Sequence, residues 1–307
     1  MRPTWQDLPA EVRRAVEEVI GGPVARAESC PGGFSPGFAS RLTRTDGERR
    51  FVKAIDAGTW PHEVDAYRTE AEVGAALPDS VPAPRWQGGY DDGRWCVLTF
   101  EDVDGAAPGP TPTDIRRVVE AIANLAIPSP IRLPAEHPRL GGWADLATDP
   151  TRVAGLRRLA PWAADDLPCL IELERDGIEA ARGNALVHGD LYPHNILLTA
   201  ARVVFVDWPH ARLGSPVIDL VAFLSSVAAD GVDPEPYVPT GGAVISSVAA
   251  DGVDPEPYVP TGGAVTGVLA AHAGFLLAGG LAAGRTPITE AKLRLGRGAL
   301  AWLETRL

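Results

Sequence analysis

The chain has 307 residues, 45% of them hydrophobic, enough to bury a sizeable core and long enough for two lobes or domains. Its 40 carboxylates outnumber 28 basic residues, which argues against nucleic acid as a partner and mildly favours cationic small molecules. Three cysteines, Cys30, Cys96 and Cys169, lie far apart with no C-x-x-C spacing, so reduced thiols in a cytoplasmic protein are expected.

The first twenty residues carry several charges and no continuous apolar core, so no signal peptide is expected. Leu8, Val12, Ala15, Val16 and Val19 instead fall on one face of a helix that starts near Pro9, with Asp7 as its cap, and stops at Gly21-Gly22. From Val24 to Ile55 the pattern turns to short alternating runs with the hairpin signal Asp46-Gly47. Between the first two of these strands stands PGGFSPG (31–37), whose Gly32 and Gly33 would let backbone N–H groups approach phosphates; taken alone it is an ordinary turn. The chain has only two lysines, Lys53 and Lys292, and Lys53 sits in the strand FVKAI of a sequence that otherwise uses arginine. A helical stretch from Glu63 to Leu77 follows, then strands at Arg85 to Gln87 and Arg94 to Phe100, joined through Gly88 to Gly93. Gly105 to Pro112 has the composition of a domain boundary.

Helical spacing resumes at Thr113 to Ala126, with Ile115, Val118, Val119, Ile122 and Leu125 on one side. The stretch from Pro128 to Pro150 reads as loop, and a second helical region runs from Ala164 or Leu167 to Arg182. Then comes LVHGDLYPHNILL (186–198), followed by VVFVDW (203–208). Asp190, Asn195 and Asp207 flank a short hairpin, so three oxygen-bearing side chains can meet at one end of it. Phosphoryl transfer needs a base to orient an acceptor hydroxyl and hard oxygen ligands to hold Mg²⁺ against phosphates. Asp190 would be the base, with Asn195 and Asp207 as metal ligands. Each feature singly could be a turn or a strand end; three of them with strand periodicity on both flanks favour a site.

Further on, SSVAADGVDPEPYVPTGGAV (225–244) returns unchanged at 246–265, a tandem duplication offset by 21 residues and spanning 225–265. Two identical copies are too few and too alike for a solenoid, and their Pro, Gly and Asp content suits an extended surface connection. The apolar run from Val265 to Gly284 is as long as a membrane span, but its Ala and Gly content and His272 point to one or two buried helices instead. No membrane partner is expected.

Around Asp190 the sequence resembles the aminoglycoside phosphotransferase family of small-molecule kinases, which have a protein-kinase-like fold. The family's H-G-D-x-x-x-x-N stands as His188, Gly189, Asp190 and Asn195, and its I-D-W/F-E as Val206, Asp207 and Trp208, with Pro209 and His210 where many relatives carry an acidic residue. The resemblance implies an α+β fold of two lobes, an antiparallel-sheet N-lobe over 1–102 and a mainly helical C-lobe over 103–307. It implies ATP and Mg²⁺ as cofactors, Lys53 on the α- and β-phosphates held by Glu70, with Glu72 the neighbour that could take its place, and the linker at Phe100, Glu101 and Val103 against the adenine edge. His188 and Asp219 would support the site, Asp219 by accepting backbone N–H groups of the catalytic loop. Only twelve positions separate Asp207 from Asp219, and Gly189 replaces the arginine that reads a phosphorylated loop, so control by loop phosphorylation is not expected. The acceptor would be a small-molecule hydroxyl, with aminoglycoside or related antibiotic resistance as one version and a fructosamine-, homoserine- or choline-like metabolite as another. A pseudokinase scaffold is the rival from outside enzymes, and intact Lys53, Asp190, Asn195 and Asp207 argue against it.

Overall fold

The computed structural model describes residues 2–30, 35–239, 260–282 and 284–307. Gly32, Gly33 and most of the second copy of the duplication lie outside them. The chain divides into two compact units, one of residues 1–107 with 194–210, the other of 108–193 with 211–307.

The first unit is built on five antiparallel strands, β1 (Val24–Ser29), β2 (Phe38–Arg44), β3 (Arg49–Asp56), β4 (Trp86–Asp91) and β5 (Trp95–Glu101), in the order β1-β2-β3-β5-β4. Side chains alternate across a strand, and here both faces are covered. Val52 and Ala54 of β3 and Val97 of β5 join Leu8, Val12, Val16 and Ile20 of helix α1 (Ala10–Ile20) in one cluster. The adjacent positions Ile55 and Leu98 join Val64 and Tyr67 of α2 (Val64–Ala76) in another. Helix α1 ends where Gly21 takes φ +80° and donates its N–H to the last turn, as a left-handed C-cap does. Asp7, expected to cap α1, instead accepts hydrogen bonds from the Thr4 backbone and hydroxyl, both 2.7 Å, and Pro9 holds the cap position. A hairpin of Ile196–Leu198 and Val203–Phe205 also belongs to this unit, tied by Phe205 N–H to the Pro82 carbonyl at 2.6 Å and by pairing of Leu198 with Ala106.

The second unit is helical: α3 (Pro112–Ala123), α4 (Trp143–Ala147), α5 (Pro150–Leu159), α6 (Pro161–Asp165), α7 (Leu167–Ala180), α8 (Val217–Ala229), α9 (Gly262–Gly280) and α10 (Pro287–Glu304), with a strand pair of Ala185–Val187 and Arg212–Gly214. The stretch read as loop from Pro128 to Pro150 holds the short α4, too brief to show a period. Helices α7, α8 and α10 pack on α9, whose Val268, Leu269, Ala273 and Leu277 are fully buried. The expected buried apolar run is thus a single helix; it alone among described helices is long and apolar enough to cross a membrane, and most of it is covered by protein. Glycine lets α7 and α9 approach backbone to backbone: a Cβ on Gly177 would stand 1.9 Å from the Gly267 carbonyl oxygen. Helix α8 ends on the first copy of the duplicated segment, at Ala229, and α9 begins on the last four residues of the second, 262–265.

Candidate active site

In the first unit, alternation along β3 turns Lys53 to the face that α2 covers, and Glu70 of α2 meets it. The ammonium donates to the Glu70 carboxylate at 2.5 Å and to the Asp207 carboxylate at 2.6 Å. Lys53 is 9% exposed and Glu70 3%. Burial alone would lower Lys53, but the Glu70 and Asp207 charges outweigh it and hold the ammonium well above the usual lysine value. Burial pushes Glu70 up to about 7 against the pull of Lys53. The result is a permanent cation facing two carboxylates, one of them, Asp207, nearly half exposed.

Asp207 leaves its strand with φ +68°, the one described non-glycine residue in left-handed backbone. Aspartate tolerates that region better than most residues, and such strain gathers at functional positions. Across the hairpin, Ile196 pairs with Phe205 and the Asn195 carbonyl accepts from Val206 N–H at 2.9 Å, so Asn195 and Asp207 stand at the same end. Among the described residues no group of three or more His, Cys, Asp or Glu forms an all-protein metal cage. Two hard oxygen donors at one hairpin end suit Mg²⁺, which keeps waters and takes further ligands from phosphate oxygens.

The linker lies in this unit as well. Phe100 is buried edge-on to Trp86, the Glu101 carboxylate accepts from Arg85 N–H at 3.2 Å and from the Arg202 guanidinium, and the Val103 carbonyl accepts from Arg41 at 3.1 Å. Arg41 and Arg49 both reach the buried Asp102 carboxylate, at 3.0 and 2.7 Å, fastening the linker to β2 and β3.

In the second unit, the strand Ala185–Val187 delivers His188, Gly189 and Asp190. Gly189 takes φ +77°, which a side chain would strain. Asp219, in the first turn of α8 and 1% exposed, accepts the N–H groups of His188 at 2.7 Å and Gly189 at 2.9 Å. Burial pushes its carboxyl up to about 7 in spite of these two donors. Asp190 is ion-paired with the Arg139 guanidinium. The Tyr192 hydroxyl and the buried His272 Nε2 are 3.2 Å apart. Gly141 N–H to the Ala271 carbonyl at 2.8 Å and Gly142 N–H to the Glu174 carboxylate at 2.7 Å pin the loop that carries Arg139.

A model of the APH phosphotransferase enzyme family matches residues 28–245. The chain belongs to the APH phosphotransferase family. The match runs from β1 through α8 and takes in Lys53, Glu70, Asp190, Asn195, Asp207 and Asp219. No curated protein matches it by sequence. Among solved structures it is similar to a choline/ethanolamine kinase family protein of Mesorhizobium loti, at 17% identity and TM-score 0.56, covering 96% of this chain and 93% of that one. Choline kinase LicA of Streptococcus pneumoniae is similar at 14% identity and TM-score 0.55, covering 96% and 100%. A spectinomycin phosphotransferase in complex with ADP and spectinomycin is similar at 11% identity and TM-score 0.54, covering 96% of each. At these identities the likeness shows the fold, the two-lobed, protein-kinase-like α+β fold of small-molecule kinases.

Of the expected residues of this APH-family chain, Lys53, Glu70 and Asp207 meet, Asn195 shares their unit, and His188, Asp190 and Asp219 are joined through the loop of residues 188–190. Gly32 and Gly33 lie outside the described residues. Arg139, Tyr192 and His272 escape sequence reasoning: Arg139 sits in a Pro- and Gly-rich loop 51 residues before its partner, and His272 is a lone polar residue in an apolar run. His272 has a measurable consequence. Burial, reinforced by the Arg139 charge, holds its imidazole down to about 4, so the fold carries it neutral. Below its unfolded value near 6.5 the unfolded chain binds a proton that the folded chain refuses, so stability falls as pH drops from about 6.5 to 4, by at most roughly 3 kcal/mol. Urea denaturation at several pH values across that window should show a shallower loss for H272Q than for the wild type. Identical slopes would refute the neutral, buried imidazole.

Proposed function

We propose that this phosphotransferase moves the γ-phosphoryl group of ATP to a hydroxyl of a small molecule with the help of Mg²⁺. The observation that carries the reading is the Lys53 ammonium held between Glu70 and Asp207. A point cation fixed by one carboxylate and shared with a second is suited to phosphate oxygens, with Glu70 keeping its position. Backbone groups at Phe100, Glu101 and Val103 would receive the adenine edge. Asn195 and Asp207 would hold Mg²⁺, which when bound neutralises charge on the phosphates.

Asp190 would accept the proton of the acceptor hydroxyl. The two N–H bonds from His188 and Gly189 to Asp219 fix the backbone from which Asp190 projects, so the base is oriented before any acceptor arrives. The first unit would thus serve the nucleotide and the second the acceptor. Three unpaired cysteines suit a reducing, cytoplasmic setting. Kinases of choline and a phosphotransferase seen with spectinomycin share this fold, so an antibiotic acceptor is one choice among several that the fold can serve.

The metal role is tested with D207N, because asparagine tolerates the left-handed backbone that alanine would strain. Calorimetric titration with ATP should show tighter binding with Mg²⁺ than with EDTA in the wild type, and at least ~10-fold less of that gain in D207N. An unchanged Mg²⁺ dependence would remove Asp207 from the metal site.

A further inference from the structure

Backbone bonds fix where Asp190 leaves the chain, but its side chain can still turn. Asp219 holds the N–H groups of His188 and Gly189, and the Tyr192 N–H donates to the Asp190 carbonyl at 3.0 Å. None of these bonds sets χ1 of the aspartate, and its χ2 is intrinsically broad and two-fold. The Arg139 guanidinium takes hold of the carboxylate itself, at Oδ1, with the arginine side chain 30% exposed and the aspartate 14%.

The loop that carries Arg139 is fastened on both sides of it. Upstream, the Pro134 carbonyl accepts from Leu213 N–H at 2.9 Å, and His137 Nε2 lies 2.8 Å from the Leu213 carbonyl oxygen. The imidazole fits there because Gly214 has no side chain; a Cβ would come within 2.6 Å of His137 Nε2. Downstream, Gly141 N–H and Trp143 Nε1–H donate to the carbonyls of Ala271 and Ala270, each at 2.8 Å. The Glu174 carboxylate accepts from Gly142 and Trp143 N–H at 2.7 and 2.9 Å. Gly142, at φ +147°, runs so close to α9 that a Cβ would stand 2.7 Å from the Gly274 carbonyl oxygen. Arg139 therefore sits two residues from an anchor on either side.

Both partners rest on one stretch of α9. Ala270 and Ala271 hold the loop of Arg139, and His272, next to them, meets the hydroxyl of Tyr192, two residues past Asp190. Ordering two long, free side chains usually cancels much of what an exposed ion pair gains. Here the aspartate is short and its backbone held, and the arginine's loop is pinned at both ends, so less remains to be ordered.

We propose that Arg139 is a positioning residue for phosphoryl transfer: through its ion pair it holds the Asp190 carboxylate in the rotamer that receives the acceptor hydroxyl. This rests on Asp190 being the base. Where the transition state is loose, the base chiefly orients the hydroxyl, so the direction of the carboxylate counts for more than its basicity. A carboxylate has two oxygens, and one can face the guanidinium while the other takes the hydroxyl.

The test is a double-mutant cycle on ADP release at saturating ATP, with choline and glucosamine as acceptors and water itself in their absence. R139Q should lower kcat about 10-fold and leave KM for ATP within about twofold, with R139K recovering to within about threefold of the wild type. In the D190N background the same R139Q change should remove less than about a further twofold, because Arg139 acts only through the carboxylate. R139Q should melt within about 3 °C of the wild type, since the bonds that fasten its loop are made by other residues. A wild-type kcat in R139Q beside an inactive D190N, or an R139Q loss equally large in the D190N background, overturns this inference alone. Wild-type turnover in D190N removes Asp190 as the base and takes the inference with it.

Discussion

Asp190→Asn should lower acceptor-dependent turnover by at least ~100-fold while leaving ATP affinity within about threefold. Asparagine keeps the size and hydrogen-bonding capacity of the side chain but cannot take a proton at neutral pH, so the substitution isolates proton acceptance from shape. The nucleotide contacts proposed above draw on the first unit, to which Asp190 does not belong, so binding and turnover should separate. ADP release at saturating acceptor gives kcat, and calorimetry gives the ATP affinity. Retention of more than about a tenth of wild-type turnover would take the role of base away from Asp190. The Arg139 ion pair makes a useful companion. A neutral Arg139→Gln leaves the proton acceptor in place, so its loss in turnover should be smaller than that of Asp190→Asn.

The second large effect is on stability. Gly177→Ala should cost about 3 kcal/mol or more and lower Tm by roughly 6–12 °C. The added Cβ would stand 1.9 Å from the Gly267 carbonyl oxygen and 2.1 Å from its carbon, and both are backbone atoms inside a helix. A flexible side chain could rotate away; a helix backbone cannot, so α7 and α9 must part along their length. Their separation would open the core in which Val268, Leu269 and Leu277 are fully buried. Gly263→Ala in the first turn of α9 is the control, because a Cβ there meets nothing within 4 Å. It should be neutral or slightly stabilising, since alanine loses less backbone entropy than glycine in a helix. Equal melting temperatures for the two variants would mean that the close crossing is absent in solution.

The donor half of the site was legible because its chemistry fixes residue types at fixed spacing. Asp190, Asn195 and Asp207 could be named from the motif and the hairpin pattern, and Lys53 and Glu70 from the family's strand and helix. The strands of the first unit were legible for a similar reason, alternation and an Asp-Gly turn being local signals. What the sequence hides is long-range. Nothing near Arg139 announces an aspartate 51 residues on, and nothing near Asp102 announces Arg41 and Arg49. Helix α9 shows no polar face because most of it is covered by protein, so its period could not reveal that His272 and Phe275 share a side. The hairpin of residues 194–210 groups with the first unit through the Pro82 and Ala106 bonds, which no composition shift marks.

The duplicated segment has a consequence in the gene. Helix α8 closes on the first copy and α9 opens on the second, so the two helices draw on opposite ends of the tandem repeat. Excising any 21 consecutive residues from within the tandem yields one and the same shorter sequence, in which both helices keep every residue. Replication slippage could therefore lengthen or shorten this connection in steps of a whole copy, in frame, without exposing either helix to selection.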